Sequence, residues 1–567
     1  MMKYKKKLPL CPFIFGLFIS YSCAISSEGL PATKNSYDTS SALTLASIKP
    51  SDSEQKAYGK IKKVNIRIHP IFDESKPEEN NFLFRLANRL HIGTDVDVIK
   101  NDLLFKEGSE YNTDTLYESE RILRTRRYLN RAKVSVDNQD DEGVDVNVDV
   151  NEVWTLVPTL SFSRSGGSND YSFGFKDSNF LGYGKSFNVT YNKSDERSGE
   201  LFEYIDPNTG WHQTRMGLAY ENNSDGSRQF FSFERPYFSL ATPSAGGAEY
   251  EEYDREESYY DLGDEVDTYR HFSKNTEIFY GSKLSFSNED NVHRLNVGYL
   301  EQDDTFFSIP SAPNSVPLPQ NRLFKITWAE HQYIQNNFSR FENIQQINQV
   351  EDINFGVQSK LRLGYVYSSI EEYDESLYMR GQLSDGIMLN ENNILLLKTA
   401  FSGFYKDEIY NSVISARLDY HWSNIKHGQF YIGIKGGRGV RLFADQFLVM
   451  GGDFGLRGYP DNYQSGDKRY LINFEQRFYG QREWLSLFYM GAAIFYDEGR
   501  AWGNSASPQS QDGRLRDVGF GLRFSGTRNG SREEGARNVL HVDFAHPLDG
   551  DDELSDVEIS VRVRKSF

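Results

Sequence analysis

Only two cysteines occur in 567 residues, Cys11 and Cys23. A mature chain starting after Ala24 would have none, which excludes disulfides and thiolate chemistry. Beyond the N-terminus no apolar run reaches the ~20 residues of a membrane-spanning helix. Basic residues are in deficit, 63 Lys and Arg against 81 Asp and Glu, for a net charge of −18. Phosphate contacts need basic patches, so nucleic acid is not an expected partner. The 10 histidines are scattered without a His-x-x-x-His pair, and no Gly-x-Ser-x-Gly occurs. No metal, cofactor or catalytic residue is therefore expected. Gly184-Lys185-Ser186 ends like a phosphate loop, but Asn179 stands where that loop requires glycine. Neighbouring carboxylates carry no signal in a chain this acidic.

Aromatics are abundant, with 35 Tyr and 40 Phe. Many aromatics without a spanning helix fit a membrane barrel, whose alternating strands average out as polar. Residues 1–24 read as a signal peptide. Lys3, Lys5, Lys6 and Lys7 precede an apolar stretch from Leu8 to Ile19, and Ser22-Cys23-Ala24 offers small residues for cleavage. Cleavage there takes the net charge from −18 to −22. Cys23 raises acylation as an alternative, but the preceding Ser20-Tyr21-Ser22 lacks the usual leucine. Residues 25–58 are rich in Ser, Thr, Ala and Lys without periodicity, and read as a flexible linker.

Residues 59–153 predict a compact αβ module. Val64, Ile66 and Ile68 alternate with polar residues as a strand does. Asn81 to Leu90 puts Phe82, Leu86 and Leu90 on one helical face. Thr115-x-x-Glu118 reads as a capping box opening a second helix that runs to about Tyr128. Val134 and Val136 begin a further strand. Val144, Val146, Val148 and Val150 alternate with Asp145, Asn147, Asp149 and Asn151.

Residues 154–567 alternate throughout. Val518, Phe520, Leu522 and Phe524 oppose Asp517, Gly519, Gly521 and Arg523. Leu540, Val542 and Phe544 oppose His541 and Asp543, and Ile353, Phe355 and Val357 oppose Asn354, Gly356 and Gln358. A charge facing lipid at mid-bilayer costs about 2–4 kcal/mol, so the apolar face should meet lipid and the polar face a lumen. Tyr250 to Asp267, acidic and Tyr-rich, reads as a solvated loop or strand end.

One stretch organises this half: Gly451-Gly452-Asp453-Phe454-Gly455-Leu456-Arg457-Gly458-Tyr459. Two strands follow, one carrying Glu475 and one carrying Phe495, Asp497 and Gly499. Parity places both acids on the lumen face. Arg457 reaches them only if its loop folds inward, and a guanidinium suits a carboxylate pair there.

Leu456-Arg457-Gly458-Tyr459 resembles the loop motif of the bacterial outer-membrane assembly and secretion barrels, the BamA-like and TamA-like proteins and the two-partner-secretion transporters. Phe495-x-Asp497-x-Gly499 is similar to their strand motif, and Glu475 matches the acid of the intervening strand. Glu234-Arg235-Pro236-Tyr237-Phe238 is similar to their Asn-Pro-Tyr-Phe stretch. The order and spacing of these motifs make the resemblance specific. It implies a mainly β chain, with a C-terminal transmembrane antiparallel barrel of about 16 strands preceded by one small α+β POTRA-like domain. It implies residence in the bacterial outer membrane, with the POTRA-like domain in the periplasm. It also implies a role in inserting or translocating proteins. The implied partners are the lipid bilayer, unfolded client polypeptides added at an edge strand of the POTRA-like domain, and periplasmic accessory proteins. Phe567 would be the C-terminal sorting signal, although Lys565 falls on the apolar side of that pattern. Secretion of one dedicated substrate, and a plain channel or surface barrel without protein clients, remain open alternatives.

Overall fold

The computed structural model describes residues 59–564 apart from 141, 166–167, 195–196, 212, 512, 529–538 and 552–553. The expected signal peptide, linker and Phe567 lie outside the described residues.

The small domain runs β1 (Lys60–His69), α1 (Phe82–Leu90), α2 (Val96–Asp102), α3 (Thr113–Thr125), β2 (Leu129–Asp140) and β3 (Gly143–Glu152). Strand β3 is central, parallel to β1 and antiparallel to β2. Its four alternate valines, Val144 to Val150, are fully buried against Ile99, Leu116 and Leu123 from the helices. Three helices stand where two were expected. The seven residues of α2 are too few to display a periodic face. The expected capping box is not what starts α3: Asn112 is the cap, its side chain accepting from the Thr115 N–H at 2.9 Å. Asparagine and threonine are both good caps, and the strand-like backbone needed at that position falls on Asn112 (φ −141°).

From Leu156 onward the chain is a closed antiparallel barrel. The last strand, Glu558–Arg564, returns to pair with the first, Leu156–Ser165. The count is twenty strands among the described residues, against the expected 16 or so. The excess comes from the start of the barrel. Six strands of 8 to 10 residues fit between Leu156 and Arg235, joined by short connections. An average of about 26 residues per strand and connection cannot represent them. An even count lets the ends meet antiparallel, as barrel closure without a free edge requires.

The alternation sorts as lipid and lumen demand. Ile494 is 61% exposed and Phe520 54%, while Asp497, Asp517 and Arg523 between them are 0%. Of the two alternatives for Tyr250 to Asp267, loop or strand end, the structure has the second: the outer part of a long hairpin, Ser244–Asp261 paired with Asp264–Lys283. One stretch departs from expectation. The alternating stretch from Ile353 is not barrel wall. Val350–Asn354 pairs with Phe338–Glu342 in a separate hairpin, and Phe355 is buried with Ile344, Ile394 and Leu396. Its pattern resembles a wall strand because a half-buried hairpin alternates in the same way.

With all wall hydrogen bonds closed on themselves, the barrel is expected to resist SDS until boiled. Unboiled and boiled samples should migrate differently on a gel. Equal migration, with solubility in detergent-free buffer, would contradict a membrane barrel.

Candidate functional site: an inward loop held by arginine

The small domain defines one end of the barrel. Asn179 Nδ2 donates to Thr94 Oγ1 at 2.9 Å, Leu240 N to Glu118 Oε1 at 2.7 Å, and Asn130 Nδ2 to the Thr527 carbonyl at 2.8 Å. Arg340 donates to Glu120 at 2.8 Å. These barrel residues sit on alternate connections, as an up-and-down barrel requires of one end. Helix α3 faces the mouth with Glu118, Glu120 and Arg121 buried. Burial holds the Arg121 guanidinium below its usual value, at about 10, although Glu118 beside it pulls the other way.

The Gly-rich loop starts from the opposite end. It follows the strand Gly428–Val440, and its short ladder Leu448–Met450 with Gln464–Gly466 frames residues 451–463. Arg457 projects from it into the lumen and is 5% exposed. Its Nε donates to Asp497 Oδ2 at 2.7 Å and its Nη2 to Oδ1 at 2.8 Å, a two-pronged pairing. Its Nη1 lies 2.8 Å from Glu475 Oε1. The Phe495 ring lies under the guanidinium, 3.4 Å from carbon to centroid, a contact strengthened by loss of water.

The neighbours of Arg457 seat the turn. Leu456 and Tyr459 are fully buried with Met450, Tyr463, Leu471 and Leu515. The Tyr459 hydroxyl donates to the Arg516 carbonyl at 2.7 Å and accepts the Asp549 N–H at 3.3 Å. At Gly458 a side chain has no room: a Cβ would come within 2.8 Å of Asp517 Cβ. The bare backbone lets the Gly458 N–H reach Asp517 Oδ2 at 3.0 Å. On the wall a Cβ at Gly499 would meet Met450 Sδ at 3.1 Å and Leu456 Cδ1 at 3.3 Å, so its absence admits the loop.

The structure thus brings together Leu456, Arg457, Gly458, Tyr459, Glu475, Phe495, Asp497 and Gly499. Sequence reasoning did not assign three further participants. Asn473 Nδ2 donates to Asp497 Oδ1 at 2.7 Å and to the Gly455 carbonyl at 3.2 Å. Asp517 holds Gly458, as above. Arg477 Nε donates to Glu475 Oε2 at 2.7 Å, so Glu475 is shared between two arginines. All three share the inward parity of Glu475 or Asp497, and that parity was the available signal.

The outer hairpin closes over this loop. Tyr259 stacks on Phe447 at 5.9 Å, Leu262 packs on the Tyr459 cluster, and Ser510 N donates to Asp261 Oδ1 at 2.8 Å. From the small-domain end, the Phe338–Asn354 hairpin enters. Its Ile347 is buried with Tyr479, Ala493 and Val539 of the wall. A barrel this wide is not filled by its own side chains, and these two segments occupy it from either end.

No family model matches the sequence, and no curated protein does. Among solved structures the chain is similar to CdiB from Escherichia coli, at 12% identity over 94% of this chain and 95% of that one, TM-score 0.45. It is similar to CdiB from Acinetobacter baumannii at 12% identity over 90% and 74%, TM-score 0.44. A third is BamA from Haemophilus ducreyi lacking POTRA domains 1–3, at 12% identity over 89% and 84%, TM-score 0.35.

Proposed function

We propose that this chain is a bacterial outer-membrane barrel that assists the insertion or translocation of polypeptides. Residues 1–24 direct export, residues 25–58 link, and residues 59–153 act in the periplasm as a POTRA-like collector of unfolded clients. The Arg457 loop acts as the lock of the lumen, with Glu475 and Asp497 as its catch. The observation that carries this reading is occupancy of both mouths. A passive channel needs a continuous water path, whereas the lumen here holds an inward loop from one end and a hairpin and α3 at the other. The residues that occupy it match, in order and spacing, the motifs of the assembly and secretion barrels.

Client capture falls to an edge of the small sheet. The β1 edge is partly covered: Ile61 N donates to Ser109 O, Gly108 N to Ile61 O, and Val64 N to Glu107 Oε1. The β2 edge has no strand beside it among the described residues, though Val134 N there donates to Glu120 Oε2 at 2.8 Å, and an extended segment can add beyond that point through main-chain hydrogen bonds. A photocrosslinker at Val136, half-way along β2, is expected to trap unfolded outer-membrane polypeptides in growing cells. The same probe at Arg89 on α1 is expected to trap none. Equal trapping at both sites, or no adduct together with steady solute conductance, would favour a plain channel.

A further inference from the structure

The outer wall of the barrel carries a charged patch that neither the lumen nor the small domain uses. On the strands beside the Arg457 loop, lipid-facing residues rise in tiers. Ile434, Ile472, Ile494 and Phe520 form an apolar band. Above it stand Tyr470 and Tyr496. Above those, on the same outward parity and toward the end away from the small domain, stand Arg438, Lys468, Arg500, Arg514 and Arg516. The register puts them side by side: Arg438 faces Lys468, Lys468 faces Trp502, Tyr470 faces Arg500 and Glu498 faces Arg516.

Aromatic residues at this height mark the water–lipid boundary, and cations just beyond it lie at the level of headgroups. Acids stand beside three of these cations. Arg516 is held two-pronged by Asp549 at 2.8 and 2.9 Å, Lys468 lies 3.3 Å from Asp467, and Arg514 lies 3.8 Å from Glu498. On the far side of the barrel the outward cations are matched by carboxylates: Arg270 is held by Asp254 at 2.7 and 2.8 Å, Lys274 stands opposite Glu252, and Lys325 lies 3.9 Å from Glu301. There Tyr250 also donates to Glu252 at 2.6 Å and Tyr299 to Glu301 at 2.7 Å. If the cations served only to keep the barrel at the right depth, they would be spread around the rim. The larger cluster, five cations on four neighbouring strands or their ends, is instead on one side.

We propose that this patch, centred on Arg438, Lys468 and Arg500, binds the phosphorylated headgroup of a lipid in the adjoining leaflet. The proposal rests on the membrane reading of the barrel and not on polypeptide handling. Guanidinium groups recognise phosphate through paired donors. The outward side chains of the band beneath give the acyl chains an apolar wall. A lipid seated here lies against the strands that carry Asp497 and Asp517, next to the locked loop.

The test uses the full-length protein in phosphatidylcholine nanodiscs. Binding of a phosphorylated glycolipid, lipid A, is measured by native mass spectrometry beside its dephosphorylated form. Wild type should bind lipid A and not the dephosphorylated form. Each cation near a membrane surface contributes about fivefold in affinity, so Arg438→Gln/Lys468→Gln/Arg500→Gln should weaken binding roughly a hundredfold. Arg438→Gln/Lys468→Gln, which leaves Arg500 over the Trp502 ring at 5.4 Å from its centroid, should weaken it about 25-fold. A control on the far side, Arg270→Gln/Lys274→Gln/Lys325→Gln, should leave it nearly unchanged. Unchanged binding in both patch variants, equal loss in the control, or equal binding of dephosphorylated lipid would overturn the proposal. So would displacement of lipid A by an equal concentration of inorganic phosphate, which would mark a site for the free ion. Because these measurements involve no client, failure here leaves the polypeptide reading standing. Loss of crosslinking at Val136 would leave the lipid site standing.

Discussion

Arg457→Ala should leave a folded, membrane-inserted barrel and release the 451–459 loop. The guanidinium is buried and meets two carboxylates, so removing it strands Asp497 without its cation and leaves Glu475 with Arg477 alone. Breaking one side of a buried pair costs about 3–5 kcal/mol. That cost falls on the loop, because the barrel wall is held by its own ladder and its elements open independently. Limited proteolysis is expected to cut within 451–459 in the variant and not in wild type. The variant should also lose activity while keeping its heat-dependent shift on a gel. Asp497→Asn should act in the same direction but more mildly. Its amide oxygen can still accept one prong from Arg457, and Glu475 retains the other contact at 2.8 Å. A double-mutant cycle on loop protection should give a coupling of roughly 1–3 kcal/mol. Additive effects would mean that the contact does not hold the loop, whatever the two side chains do at rest.

What made this site legible was parity. Glu475 and Asp497 each sit in a clean run of alternation, so their face followed from their neighbours. A Gly-rich segment carrying one arginine then had few places to go. The valines of β3 were legible for the same reason. Other features were hidden by physics that alternation does not carry. Ile353 and Phe355 keep the same period of two as the wall, yet they belong to the hairpin inside the lumen. Period reports that one face is buried, not what buries it. The short strands between Leu156 and Arg235 are separated by connections of two to eight residues, which a count based on average length passes over. Helix α2 is held by its docking between α3 and β1, a tertiary effect that overrides a weak local signal. The starting residue of α3 turned on which of Asn112 and Thr115 took the extended backbone, and composition alone does not separate two good caps.

The largest effect at the other mouth is expected from the hairpin at Phe338–Asn354. Its outer part is tied to α3 by four charges. Arg124 Nη2 donates to Asp352 Oδ2 at 2.8 Å and also pairs with Glu120, which accepts from Arg340 at 2.8 Å. Its inner turn is gathered by Glu351, whose carboxylate accepts the N–H groups of Ile344 (2.9 Å), Gln345 (2.9 Å) and Gln346 (3.0 Å). The Ile344 carbonyl in turn accepts from Arg477 Nη1 at 3.4 Å. Arg477 holds Glu475, and Glu475 holds Arg457. A continuous series of polar contacts therefore joins α3, the hairpin, the wall and the locked loop. Contiguity alone does not establish coupling; a measured interaction energy does. Replacing residues 338–354 by a short turn should open a water path and raise conductance in a planar bilayer. It should also free Arg477 to draw Glu475 away from Arg457, so that the 451–459 loop becomes easier to cleave although no residue of it has changed. The separate change Arg340→Ala/Asp352→Ala, which unties the hairpin from α3 but leaves its inner turn, should raise conductance less and protect the loop almost as well as wild type. Measured together with Arg457→Ala, the hairpin replacement should show a coupling of about 0.5–2 kcal/mol. If the loop stays equally protected when the hairpin is gone, the two mouths are closed independently, and an event at the small domain has no route through these contacts to the far end of the barrel.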